Sequence, residues 1–203
     1  MTALYDNIIF GPIRSRRLGL SLGVNLLPVE SKLCSFDCIY CECGLNAERR
    51  PKRPLPTIEE LETALTETLE KMKTEGRMPD VLTFAGNGEP TMHPRFPEAV
   101  DCAIRLRDRF CPKAKISVLS NSTRIHKPEV REALMRVDNN ILKLDTVNND
   151  YISFLDRPTG LYKLSDIIER MKAFNGRAVI QTMFLKGEVD GVDVNNTGDS
   201  YVL

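Results

Sequence analysis

V-L-T-F-A-G-N-G-E-P, residues 81–90, decides how this chain folds. Residues 81–85 are apolar or β-favouring without alternation, the pattern of a strand covered on both faces. The run stops at Gly86-Asn87-Gly88-Glu89-Pro90, where two glycines permit positive φ and close approach of the backbone to a ligand. Glu89 and the carbonyls beside it are acceptors suited to an ammonium group. A buried strand that ends in a polar, glycine-rich turn is the unit from which a parallel sheet with a site on its rim is built.

Working outward, the same unit recurs. Upstream, residues 57–75 read as an amphipathic helix. Thr57 and Glu60 form a capping box, Ile58, Leu61, Leu65, Leu69 and Met72 make one apolar stripe, and Gly76 supplies the stop. Residues 20–27 read as the strand before it. Downstream follow a helix over 96–110, a strand over 116–119, a helix over 128–137, a strand over 141–144 and a helix capped by Ser165. Leu164, Ile167, Ile168, Met171 and Phe174 lie on the inner face of that last helix, and Gly176 ends it. The fifth strand is expected over 178–185. Strands apolar on both faces that alternate with helices imply an α/β fold, a parallel sheet with right-handed crossovers. Five such strands curve into an open barrel. The expected division is one core domain over 1–203, with 1–19 as a lead-in and 187–203 as a polar tail.

In such folds chemistry gathers at the C-terminal ends of the strands. The second, third and fourth strands end at 86–90, at Ser120-Asn121-Ser122 and at Lys143-Leu144-Asp145. The first feeds C-S-F-D-C-I-Y-C, residues 34–41. Cys34, Cys38 and Cys41 can supply three of the four ligands of a [4Fe–4S] cube and leave one iron open to a small molecule. Zinc fits poorly, because its structural sites pair two distant knuckles and the chain has only His93 and His126. Two other readings add Cys43 as a fourth ligand, in a local zinc site of an RNA-binding module or in a [4Fe–4S] electron carrier or sensor. Cys102 and Cys111 read as packing residues.

Composition narrows the partners. Twenty-eight basic and 28 acidic residues cancel, so no whole-chain field draws the protein to nucleic acid or anionic lipid. Basic residues cluster at Arg14-Ser15-Arg16-Arg17, suited to an anionic ligand, and at 49–53, which reads as a solvated loop. No signal peptide and no apolar run of about 18 residues is present, so a cytoplasmic protein without a membrane partner is expected, and a disulfide framework is not.

The cysteine triplet, one helix and one strand before G-N-G-E-P, resembles the radical S-adenosylmethionine (radical SAM) superfamily. The resemblance implies a partial (βα)6-type barrel, of which about five βα units are present and the sixth is missing. It implies a [4Fe–4S] cluster on Cys34, Cys38 and Cys41 and S-adenosyl-L-methionine on its open iron, cleaved reductively to a 5′-deoxyadenosyl radical that takes hydrogen from a substrate. Tyr40 would lie against the adenine, and Gly86, Asn87, Gly88 and Glu89 would order the methionine ammonium. Asn stands at 87 where the family has Gly, so a side-chain contact would replace a backbone one. Asn121 would reach the methionine carboxylate and Asp145 the ribose. The segments 11–25 and 86–94 resemble the Fe–S oxidoreductase branch grouped with the tRNA wyosine-base synthases, which use a second cluster and a Schiff-base lysine. No cysteines precede Cys34 to hold a second cluster. Lys143 is the candidate lysine, with the lining of an anionic ligand as its other reading, and Cys43 is the second candidate for a catalytic role. An electron donor such as flavodoxin or ferredoxin and a tRNA or protein substrate are the partners this implies.

Overall fold

The computed structural model describes residues 3–46 and 54–197; the basic stretch at 49–53 lies outside them. Six strands form one sheet in sequential order: β1 (Ile9–Ser15), β2 (Gly19–Val24), β3 (Val81–Phe84), β4 (Lys115–Ser120), β5 (Asn139–Lys143) and β6 (Ala178–Gln181). β2 to β6 are all parallel, and β1 runs antiparallel to β2 at the edge. The helices α1 (Ile58–Thr74), α2 (Phe96–Phe110) and α3 (Pro128–Arg136) make the crossovers between β2, β3, β4 and β5. A short α4 (Asn149–Tyr151) and α5 (Leu164–Lys172) lie between β5 and β6. The five parallel strands of an open α/β barrel are therefore present.

All the long helices cover one face of the sheet. Leu22, Val24, Leu82, Phe84, Ile116, Val118 and Leu142 meet the α1 stripe of Ile58, Leu61, Leu65, Leu69 and Met72 and the buried sides of α2, α3 and α5. Cys102 and Cys111 belong to this core, packing residues as read. Each large apolar side chain buried there contributes about 1.5–3 kcal/mol, which outweighs the weak intrinsic helix preference of a polar-faced segment. The capping box at Thr57 and Glu60 forms as read.

The opposite face differs from the expectation of strands apolar on both sides. Alternate residues point there, and Thr83, Ser117 and Asn139 lie side by side across β3, β4 and β5. Ser21 Oγ bonds Thr83 Oγ1 at 2.8 Å, and Asn139 Nδ2 donates to Ser117 Oγ at 2.8 Å. Lys143 shares this face at the C-terminal end of β5. A hydrogen-bonded polar strip thus crosses this face, beside the apolar Val81, Leu119 and Ile141.

Four further local readings need correction. The 1–19 lead-in contains β1, and the turn after it places Arg16 and Arg17 at the N-terminal end of β2, on the rim away from the strand ends named above. Ser15 Oγ accepts from the Arg17 and Leu18 amides there, so these arginines do not face the site. Lys163, not Ser165, precedes α5, and Ser165 Oγ contacts Asp166 instead. The fifth strand stops at Gln181, because Thr182 Oγ1 donates to Leu144 O and the Met183 amide to Asp145 Oδ1. Finally, the polar segment beyond it forms a hairpin, β7 (Lys186–Val189) and β8 (Val192–Asn195). Asn196, fully buried, holds the hairpin to the sheet by accepting from Leu185 N and donating to Asp145 O and Met183 O.

Candidate active site

The cysteine loop lies across the C-terminal ends of β2 to β4. Leu33 makes a parallel bridge to Gly88, with Leu33 N donating to Asn87 O and Glu89 N to Leu33 O. That contact explains the glycine: Gly88 has φ +139°, and a Cβ there would sit 1.9 Å from Leu33 O. Gly86, at φ +127°, is needed for a similar reason, since its Cβ would fall 2.6 Å from Asn25 Oδ1. Asn25 is itself buried and accepts from the Asn87 and Leu27 amides. Chain close-packing, not only ligand approach, requires both glycines.

A second support comes from the far side of the chain. Asp37 N donates to Asp156 O, Ile39 N to Leu155 O, and Thr159 N to Ser35 O, so the loop is stitched to the turn that follows α4. Beneath it, buried Lys32 donates to Asp37 Oδ1 at 3.2 Å and to Gly44 O at 2.9 Å. Asn46 donates to Asp37 through both its backbone and its side chain and accepts from Cys34 N at 2.8 Å. Two N–H groups, Phe36 N and Asn121 Nδ2, point at Cys34 Sγ from 3.4 and 3.5 Å.

Each expected site residue has a definite place. Asn121 donates to Ser35 Oγ at 2.9 Å, and its amide donates to Glu89 Oε2 at 2.6 Å, so the end of β4 joins the cysteine loop to the glycine turn. Glu89 is buried and also accepts from Ser120 Oγ and from Thr91. Asn87 departs from its reading. Its side chain turns away to Tyr5 N, Tyr5 O and Pro28 O and fastens the N-terminal segment. Tyr40, Lys143 and Asp145 converge: the Tyr40 hydroxyl bonds Asp145 Oδ2, and Lys143 Nζ donates to Tyr40 Oη at 2.5 Å and to both Asp145 and Asp156. The ammonium also lies over the Phe36 and Tyr40 rings, 5.5 and 5.1 Å from their centroids. Asn25, Lys32, Asp37, Asn46 and Asp156 were missed. Asp37, inside the cysteine motif, was the legible one; Asp156 has no sequence signal, because only the fold brings it under Lys143.

The electrostatics follow from burial. It pushes the thiols of Cys34 and Cys38 up to about 11 and about 12. Cys41 is drawn down to about 5, first by a hydrogen bond from Cys43 and then, against its own burial, by the Lys32 charge; Cys43 rises correspondingly. Burial pushes Asp156 up to about 6 despite Lys143. For Lys143 the order reverses: burial would lower it, but Cys38, Asp156 and Asp145 together hold it above the ordinary lysine value. It is a committed cation rather than a free amine. Beside this cluster two grooves share Thr123, His126, Leu161 and Tyr162, the larger of about 490 Å³, and Ser35 lines the smaller.

The Radical SAM superfamily model matches residues 31–193, from just before the cysteine loop into the last strand. The chain belongs to the radical SAM superfamily. Among curated relatives of this radical SAM chain, a UPF0026 protein of Helicobacter pylori (strain J99) is 31% identical over 190 residues, 92% of this chain and 59% of that protein. The chain thus spans little more than half the length of the relative it matches. Solved structures share the fold. TYW1 with a lysine–pyruvate adduct bound has a TM-score of 0.54 at 17% identity, covering 82% of this chain and 56% of that one. Native anSMEcpe with bound AdoMet has a TM-score of 0.57 at 18% identity, covering 80% and 42%.

The residues fit the family's [4Fe–4S] cluster. All three thiols of the motif are unbridged, two N–H donors already face Cys34, and a buried cation lies under the loop. Among the described residues no three Cys, His, Asp or Glu side chains converge as one metal ion requires, whereas a cube spreads its ligands over separate irons. Burial pushes the Cys34 and Cys38 thiols up, so holding a cluster there would release protons.

Proposed function

We propose that the protein is a radical enzyme whose Cys34, Cys38 and Cys41 hold a [4Fe–4S] cluster with one iron left for S-adenosyl-L-methionine. Bound there, the cluster and cofactor supply a 5′-deoxyadenosyl radical by reductive cleavage. The observation that carries this reading is the direct bridge between Leu33 and Gly88, which sets the cysteine loop against the 86–89 turn on one rim. In this reading the turn's backbone orders the methionine ammonium. Asn121, anchored by Ser35 and Thr123, faces the carboxylate. Asp145 and Tyr40, fixed by Lys143, take the ribose and adenine side. Lys143 acts as a charge anchor rather than a Schiff-base nucleophile, because two buried carboxylates hold its ammonium. Asn87 contributes to shape only.

A second reading has one observation in its favour. Cys43 lies beside Cys41 with its sulfur 3.6 Å from Gly86 O, so it is placed to become a fourth ligand of a non-catalytic cluster. Electron paramagnetic resonance of anaerobically reconstituted, reduced protein separates the two. A [4Fe–4S]+ signal that changes on adding S-adenosyl-L-methionine supports the radical enzyme, and an indifferent signal supports the carrier or sensor. For the substrate, the likeness to wyosine-base synthases makes a tRNA nucleoside the first to try and a protein the second, entering by the groove beside Ser35. RNA binding that weakens steeply with salt favours the first. The electron donor would be a flavodoxin or ferredoxin, in the cytoplasm; no helix among the described residues is long and apolar enough to cross a membrane.

A further inference from the structure

Lys32 is a buried charge to which the reading above gives no role. Its side chain is only 1% exposed, and a buried lysine is tolerated only where something compensates its desolvation. The visible partners are one oxygen of Asp37 and the carbonyl of Gly44. Asp37 is a divided partner: the same Oδ1 accepts from Asn46 N and Asn46 Nδ2, both at 2.9 Å. A fixed, buried cation thus sits against the cysteine loop, held between Asp37 inside the motif and Gly44 just beyond it, with its counter-ion on the loop itself.

Resting on the cluster-binding reading above, we propose that Lys32 is a positioning residue that sets the reduction potential of the centre held by Cys34, Cys38 and Cys41, with Asp37 as its counterweight. One-electron reduction, with the electron taken from a low-potential reductant such as dithionite, adds one negative charge to the centre and breaks no bond. In a poorly screened interior that added charge is stabilised by the ammonium and opposed by the carboxylate. Lys32 therefore eases reduction, and Asp37 restrains it. A residue that only shaped the loop would have no such sign.

The test is a potentiometric titration of the reconstituted full chain, followed by the [4Fe–4S]+ resonance, together with iron content. Lys32→Gln keeps a donor for Gly44 O and removes the charge; its midpoint is expected to fall below wild type. Asp37→Asn leaves the cation unopposed, and its midpoint is expected to rise. Lys32→Arg keeps the charge and should restore a midpoint near wild type. Unchanged midpoints, shifts of the same sign in Lys32→Gln and Asp37→Asn, or loss of iron from either variant would overturn the proposal and leave the pair a clamp on the loop. Failure of the wild type itself to take up iron would instead remove the radical-enzyme reading, so the two failures are distinguishable.

Discussion

Glu89 has two carboxylate oxygens and four donors directed at them: Thr91 N, Thr91 Oγ1, Ser120 Oγ and Asn121 N. Burial raises its pKa, and those donors pull it back toward the charged form. Three turns of chain meet at this one side chain, the glycine turn, the 3₁₀ turn at Pro90–Met92 and the end of β4. Glu89→Gln keeps the volume but offers one acceptor oxygen and an NH2 that faces donors. It should lose about 2–3 kcal/mol, the cost of leaving buried donors unpaired, read as a lower urea midpoint at unchanged slope. An unchanged midpoint would mean that the carboxylate is not the hub of the rim. The residue scale is also where the sequence was least informative. A glycine-rich turn after a buried strand shows that a rim site exists, but Asn87 and Asn121 are equally good turn formers. Only the path of Tyr5, eighty-odd residues upstream, turns the first away from the site, while the proximity of Ser35 keeps the second in it.

At the scale of elements, the entry to α1 is held by a histidine rather than by its own cap alone. His93 is buried, its Nε2 bonds Pro56 O at 2.9 Å, and its Nδ1 accepts from Arg95 N at 3.1 Å. Those partners require the neutral Nε2–H tautomer, and burial lowers the ring's pKa. A depressed pKa contributes stability that is present above the unfolded value of 6.5 and lost as pH falls through the folded one. Asp156, raised to about 6, has the opposite sign: its contribution is present below the ordinary carboxyl range and lost as pH rises. The informative quantity is therefore the stability difference between wild type and His93→Asn, in which Asp156 cancels. It should be about 1–2 kcal/mol at pH 7.5, where the two bonds are intact, and shrink towards pH 5.5. A difference that holds constant across that range would show that His93 does not titrate with folding. The crossover helices were legible because periodicity and capping are local: the Thr57 box and the five-residue stripe of α1 form as read. β1 was not, because I-F-G-P-I-R-S carries Gly11 and Pro12 and falls in the 1–19 lead-in; its strand character comes from pairing with β2 at an edge, where a proline is tolerated. Likewise the early stop of β6 depends on Asp145 capturing the Met183 amide from thirty-eight residues away.

For the whole molecule, the two sides of the sheet end differently. β1 is an antiparallel edge interrupted by Gly11 and Pro12, whereas β6 is a parallel edge that pairs only with β5 among the described residues. Near that edge Val179, Ile180, Met183 and Phe184 are 55%, 47%, 44% and 58% exposed, although Leu82, Phe84, Ile116, Val118 and Leu142 of the neighbouring strands are buried. An unpaired strand bearing apolar side chains is a template for pairing with another chain. The usual protection by charge is weak here, because 28 basic and 28 acidic residues leave no net repulsion. The chain alone is therefore expected to self-associate through this side. Sedimentation should show an average mass that rises with concentration, and the double variant Ile180→Lys, Phe184→Glu should remain monomeric over the same range. Both substitutions lie at exposed positions, so the thermal midpoint should move little. Association that persists in the double variant would place the contact elsewhere, on the grooves around Leu161, and would leave the β6 side protected by its twist and by the hairpin that Asn196 fastens beside it.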